Sequence, residues 1–372
     1  NVPPCYGQEE QYIREAIQNH KISGDGVFTK RCHTILEAMT GSKKVLLTTS
    51  CTSALELAAI LCEFKPGDEV ILPSFTFSST ANAFALRGAE LVFVDIEPET
   101  MNIDPACIRR AITSRTKAVV VMHYAGVCCD MKAIQKIVHS AGLHLVEDAA
   151  QAVDSTYFGK AAGARSDIGC YSFHETKNFS MGEGGAVLIQ HPDLIERAEI
   201  VREKGTDRSR FYRGQVDKYS WVDIGSSILP SELNAAYLLP QLENHEAITA
   251  WRMRRWAQYN EGLWDLRQKG RIELPFIPEG CGHNAHMFFI KCKDEPERAA
   301  LIGFLKEREI HAVFHYIPLH SSIAGRKFGR FHGEDRYTTT ESERLLRLPM
   351  YYGLSETDCA SVIDAVHAFY QS

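Results

Sequence analysis

No stretch of this chain approaches the roughly 20 unbroken apolar residues that a membrane-crossing helix needs, so a helical membrane protein is not expected. The opening residues, NVPPCYGQEEQYIREAI, lack a basic segment followed by an apolar one, and no secretory signal is expected either. Eleven cysteines are present, yet no C-x-x-C pair occurs and Cys128 and Cys129 are adjacent. Those spacings suit neither a metal site nor a disulfide framework. Cys62, inside LAAILCEF, has the setting of a small hydrophobe. Reduced, mostly structural thiols in a cytoplasmic protein are the expectation. Charge of one sign is also missing: the net value is −6 over 372 residues, with acids and bases mixed throughout. That gives no electrostatic reason to expect nucleic acid or an acidic membrane surface as partner. Repeats, low-complexity tracts and flexible linkers are absent, and GEGG (182–185) lacks the G-x-G-x-x-G spacing of a dinucleotide site.

What is present is an α/β rhythm. KVLLTT (44–49), DEVILP (68–73), AELVFVD (89–95), KAVVVMHY (117–124) and HLVEDA (144–149) are short apolar runs expected to be buried strands. Helical spacing fills the gaps, as in CTSALELAAILCEF and from Met131 to Ser140. Strand, helix, strand in this order predicts a mostly parallel central sheet with helices on both faces, and ligands at the carboxyl ends of its strands. The texture changes near Ser231, where SELNAAYLLPQLE begins a long amphipathic region that Pro240 is expected to kink or break. MFFIKC (287–292) and HAVFHYIP (311–318) are further strand candidates, separated by the helical AALIGFLKERE. At this length one core usually gives way to two. A large domain over 1–245, with an N-terminal arm, and a smaller C-terminal α/β domain over 246–372 are expected.

Four features fall at or just beyond predicted strand ends. TTSCTSALELAAIL passes from strand to helix through small residues, and a helix N-terminus offers unpaired N–H groups to a phosphate. Cys51 and Thr52 are small enough for close approach, although a plain N-cap explains the same residues. Asp148 ends an apolar strand, where an unpaired carboxylate costs several kcal/mol. A protonated pyridine nitrogen is one suitable partner, a helix cap or structural ion pair another; Gln151 follows three residues on. Lys177, in SFHETKNFSMGEGG, lies in a polar turn between strand-like IGCYSF and GGAVLI. A lysine there suits Schiff-base formation, or is a solvated charge. Ser172 precedes it by five residues, and Phe77 in PSFTFSS could lie against a planar ring or belong to the core.

Taken with SGDGVFTKRC, VLLTTSCTSALELAA, VVMHYAGVCCDM, LVEDAAQ, SFHETKN and VFHYIPLH, these segments resemble the DegT/DnrJ/EryC1/StrS sugar aminotransferases from about Gly24 onward. The resemblance implies the aspartate aminotransferase fold and pyridoxal 5′-phosphate (PLP) as cofactor. It also implies a homodimer with active sites between subunits, a nucleotide-sugar substrate and an amino-acid donor. HETKN, EKGTDRSRFYRGQVDKYSWVDIGSS and FHGEDRYTTTESERLLRLP are similar to members that aminate C4 of dTDP-4-dehydro-6-deoxyglucose, giving the galacto product.

Residue by residue, the resemblance implies that Lys177 is the Schiff-base lysine and proton carrier. Asp148 is implied as the partner of the pyridine nitrogen, Gln151 of the phenolic oxygen, and Phe77 as the ring stack. Cys51, Thr52 and Ser172 are implied for the phosphate. Ser227, in DIGSS, stands where the family often supplies an Asn from the partner subunit. Arg213 and Lys218 are cationic candidates for the pyrophosphate, and His123, His174, His315, Tyr316 and His320 for the sugar. HYIPLH lacks a metal-binding partner set, so no metal is expected. Dehydratases of the same fold carry His where Lys177 stands, which favours transamination. The complete Asp148, Gln151 and Lys177 set argues against a regulatory protein without turnover.

Overall fold

A computed structural model describes residues 2–371. In chain order its strands are β1 (Lys44–Thr48), β2 (Glu69–Pro73), β3 (Glu90–Val94), β4 (Thr116–Met122), β5 (His144–Asp148), β6 (Thr156–Tyr157) and β7 (Lys160–Ala161). Then follow β8 (Ile168–Ser172), β9 (Gly185–Ile189), β10 (Cys281–Gly282), β11 (Phe288–Lys291), β12 (Gly329–Phe331) and β13 (Leu345–Leu348). Eight of them form one sheet in the order β1-β9-β8-β5-β4-β2-β3-β12. Neighbours from β12 through β8 run parallel; β9 is antiparallel to both β8 and β1.

Strands β2, β8 and β9 are buried along their whole length. This is the pattern of a sheet covered on both faces. One face packs on helices that include 27–40, 131–141 and 232–243, the other on 51–61, 78–85 and 192–202. A separate apolar core forms around Tyr259, Phe288, Leu301, Leu346 and Val362. A small cluster of Phe75, Tyr124, Met287 and Phe289 joins the main sheet's carboxyl edge to β11. Among the described residues no helix is long and apolar enough to cross a membrane.

The five strands expected before residue 150 all form, as does the helix Met131–Ala141. Two expectations fail. HAVFHYIP is not a strand: Val313 exchanges one pair of backbone hydrogen bonds with Arg347, and the chain then leaves the ladder. The rings of His315 and Tyr316 stack at 4.0 Å, whereas successive side chains of a strand point to opposite faces. Pro240 does not break its helix, which runs from Glu232 to Glu243. It sits in the last turn, and the chain turns instead at Asn244 before a second helix, His245–Gly262. Several short strands escaped the sequence reading, β6, β7, β10, β12 and β13, and of these β12 from the C-terminal part adds parallel to β3 at the sheet edge.

His245 opens that second helix and bonds Asp154 at 3.1 Å. The carboxylate raises the His245 pKa above its ordinary value. A histidine raised in the folded state contributes stability that is fully present below the unfolded value of about 6.5 and is lost as pH rises through the folded value. His245→Gln is therefore expected to cost about 0.5–1 kcal/mol at pH 5.5 and almost nothing at pH 9. Urea unfolding at both pH values checks this.

Candidate active site

Ligand-facing loops gather at the carboxyl edge of the main sheet, around a cavity of about 350 Å³. Ser50–Thr52 follow β1, Thr76 and Phe77 follow β2, Asp148 and Gln151 end β5, and Ser172 and Lys177 lie at and beyond the end of β8. His286, His315, Tyr316 and Arg347 enter from the C-terminal part.

At the end of β1 both readings of the helix start hold, on different residues. Ser50 is the cap and accepts a hydrogen bond from Ser53 N–H at 3.0 Å. Cys51 and Thr52 begin the helix, so their N–H groups have no intrahelical acceptor and stand at the positive end of its dipole. The Thr52 hydroxyl meets Ser79 Oγ at 2.7 Å. Gly185 of β9 passes so close that a Cβ there would lie 2.5 Å from Cys51 N and 2.6 Å from Ser50 C. Both contacts are backbone. Gly185→Ala is expected to displace this helix start, cost about 1–3 kcal/mol of stability and weaken binding of a phosphate ligand, as fluorescence titration would show.

Asp148 is 4% exposed. Its Oδ2 accepts from Thr80 at 2.7 Å and its Oδ1 from Ala150 N–H at 3.1 Å. Among the described residues no cationic nitrogen lies within ion-pair distance of it, which removes the structural ion pair as an explanation. Burial pushes its carboxyl above the ordinary carboxylate range despite the Thr80 and Ala150 hydrogen bonds. A buried acid in this state favours a positively charged ligand atom. Gln151 accepts from Ala125 N–H at 2.7 Å and donates to the Tyr316 hydroxyl at 2.8 Å, so its amide is fixed in orientation. Phe77 leaves 59% of its surface uncovered at the cavity.

Lys177 is half-buried in the turn after β8. The turn is clamped from both sides of the next residue: Asn178 donates to Asn284 O at 2.9 Å, and its Oδ1 meets His286 Nδ1 at 2.9 Å. Burial lowers the Lys177 pKa, with Cys51 and Asp148 opposing the shift. A lysine held toward its neutral form is a competent nucleophile toward a carbonyl.

Other expected residues lie elsewhere. His123 is fully buried behind the cavity and is withdrawn from the sugar set. Its Nδ1 accepts from Cys129 N–H at 3.2 Å, which leaves Nε2 to donate to Glu147 at 2.8 Å. His320 is withdrawn too, because its ring spans Ser74 at 2.7 Å and Asp335 at 3.3 Å and ties a loop to the end of β2. Arg213 pairs with Glu199 at 2.8 Å, Lys218 is exposed, and exposed Ser227 bridges by backbone to Glu203. None of these three lines the cavity within one chain. His174, His315 and Tyr316 do line it. Sequence reasoning missed Thr80, His286 and Arg347. Nothing in SFTFSSTAN singles out Thr80, but a charge inside the apolar run LLRLP is the kind of signal that exposed Asp148.

A sequence model of the DegT/DnrJ/EryC1/StrS aminotransferase family matches residues 5–367, nearly the whole chain. The chain belongs to that family. Among relatives of this aminotransferase, the spore coat polysaccharide biosynthesis protein SpsC of Bacillus subtilis is 32% identical over 372 residues, spanning 98% of this chain and 95% of the relative. The aminotransferase TlmJ of Streptoalloteichus hindustanus superposes with a TM-score of 0.91 at 30% identity, covering 100% of this chain and 98% of the other. A family aminotransferase of Brucella abortus gives 0.89 at 27%, covering 98% and 96%.

The fold is that of the PLP-dependent aminotransferases, and the cofactor of this aminotransferase is PLP. The cavity fits it. A buried carboxylate without a cation, an uncovered aromatic ring, a helix N-terminus and a clamped lysine are the four groups its nitrogen, ring, phosphate and aldehyde require.

Proposed function

We propose that this aminotransferase moves the amino group of L-glutamate to C4 of dTDP-4-dehydro-6-deoxyglucose. The products are 2-oxoglutarate and dTDP-4-amino-4,6-dideoxygalactose, an intermediate for bacterial surface polysaccharide. The observation that carries the reading is that Lys177 and Asp148 line one cavity. The sugar assignment is supported by the segments HETKN and FHGEDRYTTTESERLLRLP, and by the polysaccharide role in the printed name of the Bacillus relative.

When bound, PLP supplies a protonated pyridine ring that takes up the electron pair left at carbon when a proton departs. Asp148 keeps the pyridine nitrogen protonated. Phe77 would cover the ring, Gln151 would meet the phenolic oxygen, and Cys51, Thr52 and Ser172 would hold the phosphate. Lys177 would hold the cofactor at its aldehyde carbon, and its amine, once free, would take the proton from the donor's α-carbon and in the second half-reaction deliver one to sugar C4. His174, His315 and Tyr316 face the sugar. The protein acts as a cytoplasmic homodimer, with Ser227, Arg213 and Lys218 reaching the partner's site. Trp221, 78% exposed, and Tyr212, 69% exposed, give that region the apolar surface a second copy would cover. Residues 246–372 form the smaller domain, built on the separate core around Phe288 and Leu346.

Incubation with PLP, L-glutamate and the keto-sugar nucleotide, followed by proton NMR of the product, tests the assignment. An axial amine at C4 is expected; an equatorial C4 amine, a C3 amine or no transfer contradicts it.

A further inference from the structure

We infer that His286 accepts a hydrogen bond from the C3 hydroxyl of the keto-sugar through its Nε2. The inference rests on the proposed sugar assignment and adds a specificity-determining residue to it. The Asn178 amide decides which ring nitrogen carries the proton. Its Nδ2 donates to Asn284 O at 2.9 Å, so its Oδ1 is the acceptor that meets His286 Nδ1 at 2.9 Å. Nδ1 therefore holds the proton, and Nε2 is left with a lone pair. Among the described residues Nε2 has no hydrogen-bond partner. Burial, with the Lys177, Arg252 and Arg347 charges nearby, holds the His286 pKa well below its ordinary value. The ring is thus neutral near pH 7, and Nε2 acts as an acceptor only.

The ring is also held in place. His286 N–H donates to Asn284 Oδ1 at 3.0 Å, and Arg252 reaches the carbonyls of Ala285 and His286 at 3.1 and 2.7 Å. Asn284 in turn donates to the carbonyls of Gln151 and Val153, at 2.9 and 2.7 Å, which fastens this turn beside the end of β5. His286 lines the cavity that contains Lys177, and the residue it bonds follows Lys177 in the chain. Other acceptors there have partners or tasks. Thr76 meets Thr80 at 2.7 Å, Gln151 Oε1 accepts from Ala125 N–H, and Asp148 faces the pyridine nitrogen in the proposed site. A lone pair beside the lysine that serves C4 calls for a donor on an adjacent carbon. Of the two carbons that flank C4, C5 bears the methyl branch and no hydroxyl, whereas C3 bears a hydroxyl. A site built to bond a hydroxyl rejects the analogue that lacks it, because its buried acceptor is then left unpaired.

The test uses PLP-loaded protein and two sugar nucleotides that cannot accept an amine because C4 carries a hydroxyl, dTDP-6-deoxyglucose and dTDP-3,6-dideoxyglucose. Each is titrated by calorimetry, with dTDP as the reference. The parent is expected to bind the first about 5–10-fold more tightly than the second. His286→Asn keeps an amide nitrogen at the Nδ1 position for Asn178 and loses Nε2, so it should bind the two sugars within about twofold of each other. Its Kd for dTDP should match that of the parent. His286→Gln, which places an amide oxygen near the Nε2 position, should keep a several-fold preference; with the parent it decides the matter if the Asn variant does not fold. A parent without the preference overturns the inference, and so does a His286→Asn variant that retains it. An equal loss for all three ligands also overturns it, since that is the result of a purely structural ring. If neither sugar binds the parent more tightly than dTDP does, the sugar assignment fails and the inference with it, and the NMR assay reads that assignment separately.

Discussion

Asp148→Asn is expected to lower kcat/KM by about 10²–10³-fold while leaving the cofactor-free protein at least as stable as the parent at pH 8. The two halves of this result have one cause. Burial raises the Asp148 carboxyl above the ordinary range, against two hydrogen bonds and the nearby Lys177 charge, and no cation pairs with it at ion-pair distance. For such a group the folded state binds protons more tightly than the unfolded one. Its contribution to stability is present at low pH and is lost as pH rises through the folded value. Asn removes that loss, so the cofactor-free variant should show a flatter stability profile from pH 4 to pH 8. In the loaded protein the balance is expected to reverse, because in the proposed site the charge that was a burden becomes the partner of the pyridine nitrogen. Chemical denaturation with and without PLP, beside steady-state kinetics, separates the two. A structural role for Asp148 would instead destabilise both forms.

Lys177→Ala should reduce turnover by at least about 10⁴-fold, since in the proposed reaction one side chain supplies both the covalent anchor and the proton carrier. The clamp formed by Asn178, Asn284 and His286 does not depend on the lysine side chain, so the variant should fold normally and still bind PLP through the remaining contacts. Added methylamine is expected to restore a small part of the activity. Steady-state turnover near the parent level would sink the mechanism.

Legibility from the sequence followed the physics of each element. Buried parallel strands such as VILP and AVVV announce themselves by apolar density, and the residues that end them point to the carboxyl edge. Asp148 and Lys177 stood out only in combination, because each alone had a bland alternative, a helix cap or ion pair for the first and a solvated charge for the second. The segment around His315 was misread because VFHYI has strand composition, while its geometry is set by stacking of His315 on Tyr316 and by contacts with Gln151. His123 and His320 were misassigned because a histidine's partners, here Glu147 and Asp335, are far away in sequence. Strand β12 was hidden for a similar reason, since GRF is too short to show a period and pairs with β3 across more than 200 residues.

The most direct measurement is to load the protein with PLP, reduce it with borohydride, digest it and locate the modified peptide by mass spectrometry. The account predicts a phosphopyridoxyl group on the ε-nitrogen of Lys177, in the peptide that contains HETKNFSMGEGG. A modification on a different lysine, or none, would contradict it.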